Sequence, residues 1–197
     1  MLQSFGIFDF HTHTFLSDGV LSPVELVRRA YDKGYRVIGI TDHVGGTATQ
    51  ELVLPILVEE CALASSMWDI TAIPGVELTH LSPAFIDGAA RRAKEMGAQL
   101  VVVHGETIVE PVEPGTNRSA INSSSVDILA HPGIIDLAEA RLASENGTFL
   151  EVSARKGHSL ANGHVVQMAL QTGALMLLDS DAHEPDDLLT PELCQKV

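Results

Sequence analysis

The sequence of 197 residues predicts a single α/β domain built on a parallel sheet. Two observations predict it. Seven short runs rich in Val, Ile and Leu recur along the chain, at residues 6–10, 36–40, 70–76, 98–103, 126–130, 147–152 and 174–178. Between successive runs lie segments with a helical spacing of apolar residues, and parallel strands need such crossovers. A closed barrel and an open doubly wound sheet both satisfy the pattern. No Gly-x-Gly-x-x-Gly follows the first run, so a dinucleotide-binding open sheet lacks its fingerprint.

Each element has a local reason. The runs are continuous rather than alternating, as in strands buried on both faces. Ser22-Pro23-Val24-Glu25 supplies a capping box with Pro at the first helical position. Val24, Val27, Ala30 and Tyr31 then form an apolar stripe, which Gly34 stops. Segments 50–68, 84–96, 135–145 and 160–172 read as helices, and Gly97, Gly147 and Gly173 mark three of their ends. Residues 116–124 form a shorter, weaker helix. Thr190-Pro191-Glu192 opens a last helix that is either very short or cut off by the end of the chain.

Composition narrows the function classes. Asp and Glu number 26 against 12 Lys and Arg, a net charge of −14, which disfavours binding nucleic acid by bulk charge. With 45% hydrophobic residues the chain can fill a sizeable core. Two cysteines, Cys61 and Cys194, cannot build a disulfide framework, so a reducing compartment is the default. No basic-then-apolar leader opens the chain, and no apolar stretch approaches the ~20 residues of a membrane span. A cytoplasmic protein with no membrane partner is expected.

The informative residues sit where the apolar runs end. The first run ends in Asp9-Phe10-His11-Thr12-His13 and the second in Thr41-Asp42-His43. The third ends in Glu77, the fourth in His104 and the fifth in His131. The last ends in Asp179-Ser180-Asp181-Ala182-His183. In a barrel these points converge on one face. A lone His on an apolar strand is usually a core or surface residue. Six imidazoles and several carboxylates in one mouth are different, because unpaired buried polar groups each cost about 1–3 kcal/mol. Divalent cations resolve this, since neutral imidazole and carboxylate are their usual ligands. The set exceeds one tetrahedral site, and a shared Glu77 would let two ions sit side by side. The absence of Cys from the set points to catalytic rather than structural metal.

His11-Thr12-His13, Ser17-Asp18-Gly19, Ile40-Thr41-Asp42-His43, Pro74-Gly75-Val76-Glu77, Val103-His104-Gly105, Ala130-His131-Pro132 and Asp179-Ser180-Asp181-Ala182-His183 together resemble the polymerase and histidinol phosphatase (PHP) family. The motifs occur in family order and span residues 9–183. The resemblance implies a distorted (β/α)7 TIM-like barrel in one domain. It also implies two to three divalent ions (zinc, manganese or iron) in a trinuclear centre. One ion would take His11, His13, Glu77 and Asp181; a second would share Glu77 with His104 and His131; a third would take Asp18, His43 and His183. Glu77, Asp181 and His183 are then expected at the reacting centre. The implied reaction is hydrolysis of a phosphoester by a metal-bridging hydroxide.

Other residues are expected to support that chemistry. Asp9 and Asp42 flank ligand histidines and are placed to orient them. Asn117 and Arg118 open the short helix after the fourth run, where free N–H groups and a guanidinium can hold phosphate. Arg155, beside Lys156 after the sixth run, is a second phosphate clamp, whereas Ser153 has no base partner that would make it a nucleophile. His80 is placed to rim the site. His158 and His164 read as surface residues, and Cys61 and Trp68 as packing. The expected partner is a small phosphorylated substrate such as histidinol phosphate, with nucleic acid disfavoured. A nuclease or nucleotide phosphatase is the alternative enzyme, disfavoured by acidity and by 5% aromatic content. A catalytically inactive scaffold or RNA-complex subunit should have lost ligands, and every position here keeps a ligand-capable residue. An amidohydrolase on a similar barrel fits the motif order less well.

Overall fold

The computed structural model describes residues 6–197. The chain runs β1 (Ile7–Asp9), α1 (Pro23–Asp32), β2 (Tyr35–Ile40), β3 (His43–Val44), α2 (Thr47–Met67), β4 (Thr71–Leu78), α3 (Pro83–Glu95) and β5 (Leu100–His104). It continues α4 (Thr116–Asn122), β6 (Ile128–Ala130), α5 (Leu137–Asn146), β7 (Phe149–Ser153), a 3-10 turn (His158–Ala161), α6 (Asn162–Thr172), β8 (Met176–Asp179) and α7 (Pro191–Cys194). The strands pair in the order β1-β2-β4-β5-β6-β7-β8, all parallel. The sheet curls into a distorted, nearly closed barrel with the helices outside it.

Strand β3 is the addition to the expected count. β2 pairs with the first half of β4, Val37 to Ile40 against Thr71 to Pro74. β3 pairs with the second half, His43 with Glu77 and Val44 with Leu78. The two are one path along β4, interrupted at Thr41-Asp42. There the Thr41 N–H turns to the carbonyl of Thr12, 2.8 Å away. The interruption places His43 directly beside Glu77.

Alternation along the strands sorts two apolar layers. Leu100, Val102, Ile128 and Ala130 fill the barrel with Phe10, Ile73, Phe149 and Leu177. Val101, Val103 and Leu129 face outward and pack with Leu26, Leu54, Leu57, Ile86 and Ile121 from the helices. The Ser22 side chain accepts from Glu25 N, but the Glu25 carboxylate takes Arg29 rather than completing the expected capping box; Asp136 and Glu139 form a reciprocal one before α5. Cys61 is buried in the outer layer and Trp68 packs against it.

The seam between β1 and β8 is built differently. Among the described residues no backbone ladder joins the strands themselves; one bridge pairs Thr12 with Ala182 just beyond them. Two buried carboxylates fill in. Asp179 accepts from Phe10 N at 2.7 Å, and Asp9 accepts from Ser180 N at 3.1 Å and from the Tyr35 hydroxyl at 3.1 Å. Burial pushes the Asp9 carboxyl up to about 6, against the hydrogen bonds it accepts. Burial and the neighbouring Asp9 and Glu151 carboxylates push Asp179 well above the usual range. Among the described residues, no helix is long and apolar enough to cross a membrane.

Candidate metal centre

Parallel register delivers the polar strand ends to one edge of the barrel. His43 is level with Glu77, Glu77 with Val102, His104 with Ala130 and Ser153 with Asp179. The resulting cavity holds about 310 Å³ and is lined by Asp18, His43, Thr79, His80, His104, Glu110, His131, Arg155, His158, Asp181 and His183. His11, His13 and Glu77 are fully buried, beside Asp181 and His43 of that lining.

Glu77 is the hub. Its Oε2 lies 3.4 Å from His11 Nε2, 3.6 Å from His13 Nε2 and 2.7 Å from His43 Nδ1. Its Oε1 lies 3.6 Å from His131 Nε2. The two oxygens thus face two different sets of imidazoles. Asp181 Oδ1 lies 3.2 Å from His13 Nε2 and 3.9 Å from His11 Nε2. On the outer side, Asp18 Oδ1 lies 3.0 Å from His183 Nε2 and 3.5 Å from His43 Nε2.

These groups fit metal ions better than they fit one another. His11 Nε2, both ring nitrogens of His13, both oxygens of Glu77, and Nδ1 of His104 and His131 are buried without a well-aligned hydrogen bond. Such orphaned atoms are costly unless something partners them. Donor atoms of His11, His13 and Glu77 fall within one ion's reach of each other, as do those of His11, His131 and Asp181. So do those of His13, Asp18, His43 and His183. All are nitrogen or carboxylate oxygen, suited to zinc, manganese or iron.

Electrostatics agree. Burial alone would depress His11, but Glu151, Glu77 and Asp181 outweigh it and hold the ring well above its ordinary value. Burial also opposes charge on His43, yet Glu77 and Asp18 raise it to about 10. His13, buried beside other imidazoles, falls to about 4. Burial would raise Glu77 and Asp181, but the surrounding imidazoles take both well below the carboxylate range. Protons on the imidazoles balance these carboxylates where cations otherwise would.

The support around the ligands departs from expectation. Asp42 orients no ring. It accepts from Thr14 N, Thr14 Oγ1 and Ser17 Oγ at 2.6–2.8 Å and so shapes the loop between His13 and Asp18. Asp9 reaches the His11 backbone N–H, at 3.4 Å, rather than its ring. The ring is held by Glu151, whose Oε2 lies 2.6 Å from His11 Nδ1. Glu151 escaped the sequence reading, although a carboxylate in the middle of the apolar stretch Leu150-Glu151-Val152 was its signal.

Asn117 and Arg118 lie outside the cavity lining. The Asn117 side chain is buried, accepting from Glu106 N and donating to Pro132 O. Glu106 Oε1 takes the N–H groups of Gly115 and Asn117, two of the donors expected to hold phosphate. Arg118 is exposed. Arg155 does line the cavity: its Nη1 donates to Asp181 O at 3.0 Å and lies 2.7 Å from His183 Nδ1. Lys156 is exposed, and Ser153 is buried in backbone contacts with Asn162 and Arg155. His80 rims the cavity, half exposed, 3.7 Å from Glu110 Oε2. His164 is a structural residue on the carbonyl of Ile135. His158, expected on the surface, is buried in the cavity wall because Gly157, at φ 96°, turns the chain inward after β7. The left-handed turn suits Gly and gave no sequence cue about where the next side chain points.

Residues 9–172 match the PHP domain family. A protein of Methanocaldococcus jannaschii is 48% identical over 190 residues, 96% of this chain and 87% of its own. A probable phosphatase of Thermoanaerobacter sp. is 28% identical over 92% of this chain and 81% of its own. Ribonuclease P protein component 3 of Methanosarcina mazei is 24% identical over 93% of this chain and 76% of its own. Among solved structures, histidinol phosphate phosphatase of Lactococcus lactis, complexed with zinc, L-histidinol and phosphate, aligns with a TM-score of 0.65. Its identity is 16%, over 90% of this chain and 86% of that one, which is a likeness of fold.

Proposed function

The chain belongs to the PHP domain family and is a metal-dependent phosphoesterase, and we propose that the ester it hydrolyses is a small phosphomonoester. The observation that carries this is Glu77, fully buried, with each carboxylate oxygen turned to a different set of imidazoles. His11, His13, Glu77 and Asp181 would hold one ion, Glu77, His104 and His131 a second, and Asp18, His43 and His183 a third. Bound there, divalent ions supply Lewis acidity toward the phosphoryl group and make water nucleophilic near neutral pH.

The chain's own residues bind and orient. Glu151 fixes the ring of His11, and Asp42 fixes the loop that carries Asp18. Among the described residues, Arg155 is the only Arg or Lys in the cavity lining, and it is assigned to a phosphoryl oxygen. A cavity of about 310 Å³ suits a phosphate with a small alcohol. L-histidinol phosphate is the first substrate to assay.

The test is elemental analysis of the purified protein beside hydrolysis of an aryl phosphate with added manganese or zinc. Two to three equivalents of metal and metal-dependent release of phosphate are expected. Full metal content with no phosphate released from any monoester would overturn the reading. Absence of salt-dependent binding to a single-stranded oligonucleotide is the companion expectation, since the net charge is −14.

A further inference from the structure

We propose that His158 contacts the phosphate, donating from Nε2–H to a phosphoryl oxygen beside Arg155. The inference rests on the phosphoesterase reading and adds a residue to it. His158 is 5% exposed, and one of its nitrogens is accounted for. Nδ1 lies 2.6 Å from Thr107 Oγ1, which has no other hydrogen bond among the described residues. A hydroxyl donating to Nδ1 leaves the proton of the neutral ring on Nε2. Nε2 lines the cavity, with no partner inside hydrogen-bond distance: Glu110 Oε1 is 3.6 Å away and Asp181 Oδ2 is 3.8 Å.

Arg155 Nε lies 3.6 Å from the same Asp181 Oδ2. Two donors from the segment after β7 therefore converge on one side of the cavity. Paired donors of this kind recognise a phosphoryl group.

The other use of His158 is as a metal ligand with His104 and His131, whose donor atoms lie close enough. Ring geometry argues against it. The rings of His131 and His158 stack with centroids 4.0 Å apart and planes 17° from parallel. Lone pairs in the planes of stacked rings run side by side and do not meet at one ion. The two loops that make the arrangement, one carrying Thr107 after β5 and one carrying His158 after β7, come close at Gly157, where a Cβ would meet the Val109 side chain at 3.5 Å.

The test uses manganese-loaded protein, elemental analysis, and calorimetric titration with inorganic phosphate. His158→Gln should keep the wild-type metal content and bind phosphate about tenfold more weakly, the effect of one lost hydrogen bond to a charged group. Thr107→Val should weaken phosphate binding about threefold by freeing the ring, and Thr107→Ser should restore it. Unchanged phosphate affinity in His158→Gln overturns the inference, and so does the loss of one equivalent of metal, which would make His158 a ligand. Should His158→Gln lose all metal and its circular dichroism, the Thr107 pair decides: equal affinities in Thr107→Val and wild type overturn it. Wild-type protein that carries metal and binds no phosphate fails earlier, at the phosphoesterase reading itself.

Discussion

Glu151 holds His11 by a single 2.6 Å contact deep in the barrel, and His11 in turn faces Glu77 and Asp181. A carboxylate behind a ligand imidazole sets its tautomer and raises its basicity. Glu151→Gln should therefore lower metal affinity about 10–100-fold with the fold retained, read by competition with a chelator. The same affinity in the variant would reduce Glu151 to packing. Asp179 makes a different case. Burial and nearby carboxylates push its pKa well up, favouring the neutral acid, and its Oδ1 accepts from Phe10 N. Asp179→Asn should leave stability in urea nearly unchanged, whereas Asp179→Ala orphans a buried N–H and should cost about 1–3 kcal/mol. At this scale legibility was uneven. The convergence of His11, His13, His43, Glu77, His104, His131, Asp181 and His183 could be read because they cluster where apolar runs end, whereas Asp18 lies in the loop between β1 and α1. Glu151 drew no assignment, and Asn117 and His158 sit elsewhere than expected, because their surroundings depend on which loop lies across the barrel. Nor does sequence show that His131 and Asp181 take positive φ, 27° and 52°, a strain that recurs at functional sites.

Elements bring the ligands together by close approach at the strand ends. Gly105 follows His104 on β5 and donates to Ala130 O at 3.1 Å. A Cβ there would meet that oxygen at 2.3 Å and Pro132 Cα at 2.9 Å. Gly105→Ala should wedge β5 from β6 and part His104 from His131. The expected outcome is the loss of about one equivalent of metal with circular dichroism retained, and full loading would refute it. Away from the site, Asp136→Ala removes the cap of α5 and should cost about 1 kcal/mol in urea unfolding without changing metal content. Strands and helices were largely legible, since apolar runs, caps and terminal glycines are local signals. β3 was not, because two residues beside Glu77 carry no periodicity. The β1–β8 seam was equally silent, because it is closed by side chains far apart in sequence.

For the whole molecule the centre is a balance of charge. Without cations, the raised pKa values of His11, His43 and His131 mean that protons occupy the ligands. Metal must displace those protons, so affinity rises with pH and falls as pH drops. Manganese affinity measured from pH 8 to pH 6 should fall about tenfold or more per unit, and a flat profile would count against these imidazoles as ligands. Metal present at about 100 times its dissociation constant should stabilise the fold by about 2.7 kcal/mol, visible as a higher melting temperature that chelation reverses. The seam between β1 and β8 gives this coupling a location. His11 and His13 follow one of these strands, and Asp181 and His183 follow the other. A cation held by both would be a rivet through the joint where the backbone ladder is missing. Loading the centre and latching the barrel would then be a single equilibrium. Chelation should speed amide exchange at Phe10 and Ser180 well before it reaches the continuous ladder between β4 and β5.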